Sequence, residues 1–175
     1  MTQARGPKHM HVVVMGVSGC GKTTVAERLR DRLGLAFAEG DAHHPKANVE
    51  KMASGQPLTD EDRQPWLETL AAWTREREAE GSSTVLSCSA LRRRYRDVLR
   101  EADPDTIFVH LHADFEVLAA RMRHRAHFMP VSLLESQFDT LEPLGDGELG
   151  VTIDVSQPEG EVAAAAEAAI RSHLP

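Results

Sequence analysis

His11-Val12-Val13-Val14-Met15 runs directly into Gly16-Val17-Ser18-Gly19-Cys20-Gly21-Lys22-Thr23, and the fold is decided in this passage. The first part is a short β-branched run ending in glycine, the pattern of a strand buried on both faces. The second part matches G-x-x-x-x-G-K-[ST]. Beyond it Val25, Ala26, Leu29 and Leu33 recur at helical spacing and Gly34 offers a C-cap, which predicts a helix over 22–33. Strand, glycine loop and helix in that order give the motif its physical meaning. The glycines let backbone N–H groups turn inward around phosphate oxygens, and the helix N-terminus adds positive potential. Gly16, Val17, Ser18, Gly19, Cys20, Gly21, Lys22, Thr23 and Thr24 are thus expected to wrap the phosphates of a nucleotide. Lys22 would reach the β and γ phosphates and Thr23 would hold Mg²⁺. A chance match in a glycine turn is the bland alternative, and the flanking strand and helix argue against it.

Outward from this unit, apolar runs at 35–38, 84–88, 106–111 and 151–155 read as further strands. Helical patterns fill the gaps at 60–80, where Trp66, Leu67, Leu70 and Trp73 share a face, and at 91–99, 115–122 and 161–170. The alternation predicts an α/β fold with a five-stranded parallel sheet and helices on both faces. Residues 1–10 read as a flexible tail and 11–175 as a single domain. The stretch 126–149 reads as irregular, within a mobile lid over about 121–149.

The 175 residues carry 27 acidic against 20 basic side chains, a net charge of −7, which disfavours a broad surface for nucleic acid. An anionic ligand must meet a local basic pocket. Two cysteines, Cys20 and Cys88, form no disulfide framework, and a reducing cytoplasm suits them. No apolar run reaches the length of a membrane span, and the first residues lack the apolar segment of a signal peptide. The Asn-Lys-x-Asp guanine-reading segment of a switch GTPase is missing, and the chain is short for a motor, so small-molecule phosphoryl transfer is favoured.

After the second strand, Glu39-Gly40-Asp41-Ala42-His43-His44-Pro45 stands at the carboxyl end of a parallel strand, where ligands bind. A spacing of two along an extended chain points Glu39 and Asp41 the same way. Glu39 is then expected on the metal's water shell, and Asp41 as the base that orients the acceptor hydroxyl. The competing reading makes these acids helix caps or solvent-facing groups. Adjacent histidines without a third ligand are a weak zinc signal, so His44 is assigned to substrate and His43 to the surface. In Arg92-Arg93-Arg94-Tyr95-Arg96 a solvated face is the ordinary fate of the charges, and it is kept for Arg93 and Arg94. Arg92, Tyr95 and Arg96 share a face just after a strand end and are expected in a pocket wall. Cys88 reads as a buried strand-end residue, not a nucleophile.

Residues 40–67, Gly-Asp-Ala-His-His-Pro-Lys-Ala-Asn-Val-Glu-Lys-Met-Ala-Ser-Gly-Gln-Pro-Leu-Thr-Asp-Glu-Asp-Arg-Gln-Pro-Trp-Leu, resemble the acceptor segment of the gluconokinase family. The likeness continues in Cys88-Ser89-Ala90-Leu91-Arg92, Tyr95-Arg96-Asp97, His127-Phe128-Met129-Pro130 and Ser136-Gln137-Phe138-Asp139-Thr140-Leu141-Glu142-Pro143. The resemblance implies a P-loop kinase fold and a cytoplasmic, commonly homodimeric enzyme. Such an enzyme uses ATP and Mg²⁺ to phosphorylate the 6-hydroxyl of D-gluconate. A polyol carboxylate needs hydroxyl readers and cations, which the matched segments supply in His44, Asn48, Lys51, Arg63, Arg92 and Arg96, with His127 and Gln137 later in the chain. Arg63 and Arg96 are the first choices for the carboxylate.

Arg121 and Arg125 share a helical face and resemble the paired lid arginines of nucleoside-monophosphate kinases. By that likeness Arg121 stacks on adenine and Arg125 reaches the transferring phosphate as the lid excludes water. The chain departs from the family at Arg125-Ala126-His127-Phe128, where Arg-Lys-Gly-His-Phe is usual, and Glu39 stands where related kinases often have Asp. A shikimate or nucleoside-monophosphate kinase, or a catalytically silent nucleotide-binding regulator, remains open at this point.

Overall fold

Every residue of the first strand, β1 (His11–Met15), is buried, so both faces of the sheet around it are covered. The computed structural model describes residues 9–124 and 131–173. Its sheet contains β1, β2 (Ala36–Glu39), β3 (Thr84–Ser87), β4 (Ile107–His112) and β5 (Gly150–Asp154), all parallel, in the order β2-β3-β1-β4-β5. The register places Glu39 and Val14 beside Ser87, and Met15 beside His110, so the carboxyl ends of the strands share one edge. Between β3 and β4 the central strand β1 marks the reversal of strand order, where open α/β sheets bind ligands.

Helix α1 (Lys22–Leu33) starts after Gly21 in the left-handed region (φ 94°) and stops at Gly34 (φ 68°), whose N–H bonds Arg30 O. The next helices are α2 (Lys46–Ala53) and α3 (Asp60–Ala79), the latter opened by a capping box between Thr59 and Asp62. α4 (Arg93–Arg100) packs against α3, and α5 (Phe115–His124) against α6 (Val131–Thr140). α7 (Glu159–Arg171) closes the chain against α1 and β5. The buried core joins Val12, Val14, Leu29, Leu86, Phe108 and Leu118 across these layers.

Three expectations need correction. Residues 40–43 wind into a 3-10 turn (Gly40–His43), so the two-residue alternation does not carry past Glu39 and does not align it with Asp41. The stretch 126–149 is not irregular throughout, because α6 occupies 131–140 with Leu133 and Leu134 buried and Phe138 packed on the core. α4 begins later than the apolar pattern from residue 91 suggests. Arg92 is extended, and Ala90 takes a left-handed φ of 45°, an uncommon conformation for a residue with a Cβ.

Candidate active site

The loop between β1 and α1 bends through Gly16, Gly19 and Gly21, all at positive φ. At Gly16 a Cβ would lie 2.6 Å from the Leu111 carbonyl oxygen, so the close approach of two backbones demands glycine there. The Gly16 N–H donates to Ser89 O at 3.2 Å, anchoring the loop to the residues after β3. Lys22 Nζ crosses the loop to the carbonyls of Gly16 (3.0 Å) and Val17 (3.1 Å). No residue of the first turn of α1 is acidic, so the helix itself leaves its positive end open to an anion. The Ser18 N–H donates to Gln137 Oε1 at 2.7 Å, which ties α6 to the loop. Burial pushes the Cys20 thiol up, away from thiolate chemistry.

Glu39 ends β2 as a bridge. Its carboxylate accepts from Thr23 Oγ1 at 2.7 Å and from Ser87 Oγ at 2.8 Å. The Thr23 proton is thereby turned toward Glu39, leaving the hydroxyl lone pairs for a hard cation. Gly40 follows because a Cβ there would stand 2.1 Å from the Ser87 carbonyl oxygen. Ser87 was not singled out by sequence. Only the register of β2 against β3 brings it to Glu39.

Beside the loop opens a cleft with Lys22, Asp41, His44, Arg63, Ser136 and Gln137 in its walls. Val49, Met52, Leu58, Leu91 and Leu133 form the apolar part. Asp41 is exposed in the 3-10 turn, and α2 has no side-chain N-cap bond, so Asp41 does not cap that helix. His44 stacks on Trp66 with ring centroids 4.0 Å apart, and Trp66 Nε1 donates to Gly40 O at 2.8 Å. Burial pushes the His44 imidazole down to about 4, with Arg63 adding to that push and Asp41 opposing it. Arg63 is held by Leu58 O (2.7 Å) and Tyr95 Oη (3.0 Å) and lies over the Tyr95 ring. Tyr95 in turn donates to Asp60.

Of the other residues assigned to the acceptor, Arg96 is a correction. Its guanidinium is wholly buried, bonding Glu148 through Nε (2.7 Å) and Nη2 (3.0 Å) and donating to Ala90 O (2.8 Å). That pairing consumes the fork that a substrate carboxylate would need. Lys51 is turned to Asp62 at 2.7 Å and Arg92 to Asp60 at 3.7 Å, and neither lines the cleft. Arg125 and His127 lie outside the described residues.

A second cavity opens on the other side of the loop, between Gly19, Cys20, Arg121, Val155 and Glu159. Arg121 donates to Val155 O and so stands in its wall. Thr24 is exposed in the first turn of α1.

A parallel sheet with a glycine loop and lysine at its central β1–α1 junction, flanked by two cavities, defines a P-loop phosphotransferase. A family model described as an AAA domain matches residues 12–128. The chain is 56% identical over 144 residues to a gluconokinase of Gluconobacter oxydans (strain 621H), covering 82% of this chain and 81% of the relative. It is 46% identical to the thermoresistant gluconokinase of Escherichia coli (strain K12), over 91% of this chain and 93% of the other. The crystal structure of a gluconokinase from Sinorhizobium meliloti 1021 superimposes with a TM-score of 0.82 at 49% identity, covering 93% and 92% of the two chains. The chain belongs to the gluconokinase family.

Proposed function

We propose that the chain transfers the γ-phosphoryl group of ATP to the 6-hydroxyl of D-gluconate, giving 6-phospho-D-gluconate and ADP. The observation that carries the reading is one cleft in which Lys22 of the phosphate loop faces Asp41, His44 and Arg63. The cleft thus joins a phosphate clamp to a base, a hydroxyl reader and a cation. Gluconate offers a carboxylate and a row of hydroxyls, which match these groups in kind.

The residues divide the work. Lys22 and the loop N–H groups, with Thr24 in the same helix turn, hold the triphosphate, and Lys22 offsets the charge that builds on the β and γ oxygens. Asp41 accepts a hydrogen bond from the 6-hydroxyl, aims it at phosphorus and takes its proton as the new P–O bond forms. Arg63, fixed by Leu58 and Tyr95, meets the gluconate carboxylate, while His44 and Gln137 meet its hydroxyls. Thr23 and Glu39, an oxygen donor set with the threonine proton turned aside, fit Mg²⁺ directly and through water. A Mg²⁺ ion held there would supply positive charge against that of the phosphate oxygens. Arg121 packs on the adenine in the second cavity. Arg125 and His127 complete the proposal from the lid, taken as about 121–149, over an acceptor segment of about 40–80.

Cytoplasmic homodimers are the expected setting. Cys20 and Cys88 are both free and buried, which suits a reducing compartment. Among the described residues no helix is long and apolar enough to cross a membrane. Phosphorus and carbon NMR of the product tests the chemistry: coupling of phosphorus to C6 through its oxygen is expected, and a phosphoryl group on the oxygen of any other carbon would overturn the assignment of the reacting hydroxyl.

A further inference from the structure

Behind the ring of His44 stands Asn48, 5% exposed and not itself in the cleft wall. Its side-chain Nδ2 donates to the backbone carbonyl of Asp62 at 2.8 Å. A carbonyl oxygen only accepts, so this bond fixes which end of the amide is nitrogen. The same Nδ2 lies 3.3 Å from His44 Nδ1. An amide nitrogen has two protons and no lone pair to offer, so Nδ1 is the acceptor of that contact and carries no proton. The single proton of a neutral imidazole is then on Nε2.

Asp62 is itself immobilised. Its carboxylate takes Lys51 Nζ at 2.7 Å and the Thr59 N–H at 2.8 Å as part of the cap of α3. Asn48 and Lys51, one turn apart on α2, thus grip one residue of α3. This also accounts for the turning of Lys51 away from the cleft. Trp66 covers one face of the His44 ring and leaves its edge to decide what the ring recognises.

We propose that Asn48 is a positioning residue that locks His44 as the Nε2–H tautomer, so that a neutral imidazole donates a hydrogen bond to an oxygen of the acceptor. The inference rests on the reading that His44 faces gluconate. The charged groups facing His44 are Asp41 and Arg63 in the cleft, with opposite effects, and burial outweighs both in keeping the ring neutral. A fixed neutral donor selects an oxygen lone pair, whether hydroxyl or carboxylate, and rejects an N–H at that point. It also makes acceptor recognition by this residue independent of pH between about 5 and 8.

Nitrogen NMR of the full-length protein labelled with ¹⁵N-histidine reads the tautomer without substrate. The expected spectrum shows His44 Nδ1 as the unprotonated, pyridine-like nitrogen and Nε2 as the protonated one. Asn48→Asp replaces the donor by an acceptor and should move a proton onto Nδ1. Asn48→Ala, which removes the lock without adding charge, should give mixed tautomers and serves if the aspartate variant fails to fold. Either change should raise the gluconate KM about 3- to 10-fold, the effect of one neutral hydrogen bond, and leave the ATP KM alone. His44→Gln, which places an amide nitrogen near the Nε2 position, should retain more gluconate affinity than His44→Asn. A wild-type spectrum with the proton on Nδ1, or Asn48 variants with an unchanged tautomer, would overturn the proposal. An unchanged gluconate KM in His44→Ala would instead overturn the acceptor reading beneath it, recognisably so because the tautomer spectrum would still stand.

Discussion

Thr23 donates its hydroxyl proton to Glu39 at 2.7 Å, tying the first turn of α1 to the end of β2. Ser87 approaches the other carboxylate oxygen at 2.8 Å, so one side chain aligns three elements at the phosphate end of the cleft. In the Glu39→Gln variant only one oxygen remains to accept, and the charge that favours a divalent cation is gone. The Mg²⁺ concentration for half-maximal turnover should rise about 10- to 100-fold, the usual effect of losing a supporting carboxylate. A magnesium titration of initial rate checks it. An unchanged titration would remove Glu39 from the metal's surroundings.

Lys22→Ala should lower turnover at least about 10²-fold, on the scale of losing one group aimed at developing charge. The Lys22 ammonium bonds only two loop carbonyls, so the melting temperature should stay close to that of the parent. Rates and thermal unfolding are measured on the same preparation. Activity within about tenfold of the parent, only about 1.4 kcal/mol of barrier, would show that this lysine is not the clamp.

Arg63 and Arg96 should respond in opposite ways. Arg63→Ala removes a cation from the cleft and should raise the gluconate KM more than the ATP KM. Arg96→Ala leaves the buried Glu148 carboxylate with Arg100 as its remaining cation, and should cost about 3 to 5 kcal/mol of stability. Denaturant unfolding beside two-substrate kinetics separates them. An Arg96 variant of normal stability and weakened gluconate binding would reverse the assignment.

Burial alone would push Glu148 up, but its bonds from Arg96, the Gly145 N–H and Arg100 prevail and hold it down to about 2, against an ordinary 4.5. A depressed carboxylate stabilises the fold above its ordinary value and loses that contribution as pH falls toward the folded one. The melting temperature should therefore drop between pH 4.5 and about 2, and Glu148→Gln should flatten this part of the profile while lowering stability at neutral pH. Equal slopes in the two proteins would place the acid sensitivity elsewhere.

Asp41→Asn keeps the size and one acceptor and removes the charge. Turnover should fall roughly 10²- to 10⁴-fold, the range of general acid–base assistance, with ATP affinity little changed. Because α2 starts without a side-chain cap bond, no loss of helix capping should accompany it. A lower melting temperature with near-normal turnover would take Asp41 out of the mechanism.

What the sequence makes legible in this fold and site is what local physics decides. The β1 run, the glycine loop and the apolar spacing of Val25, Ala26 and Leu29 give the observed strand and the observed α1 without displacement. Arg63 stands in the cleft, as the likeness of its segment to the gluconokinase acceptor segment implies. Arg96 escapes a sequence reading because helical spacing tells which face a side chain shares and not what stands opposite, and Glu148 is 52 residues away in the chain. Lys51 failed in the same way, through Asp62. Ser87 and the stack of His44 on Trp66 depend on strand register and on how α3 docks, which no local pattern encodes. α6 was hidden because Gly145 and Gly147 colour the whole stretch, while Val131, Leu133, Leu134 and Phe138 carry a helical period within it.

That the cleft beside Lys22 accepts gluconate and the loop delivers phosphoryl to it is open to a single assay. Initial rates of ADP formation, coupled through pyruvate kinase and compared across gluconate, shikimate and AMP at equal concentration, test it most directly. ADP release should depend on gluconate, with shikimate and AMP near the rate of ATP hydrolysis alone. Release driven by shikimate or AMP in preference to gluconate, or no acceptor dependence at all, would contradict it.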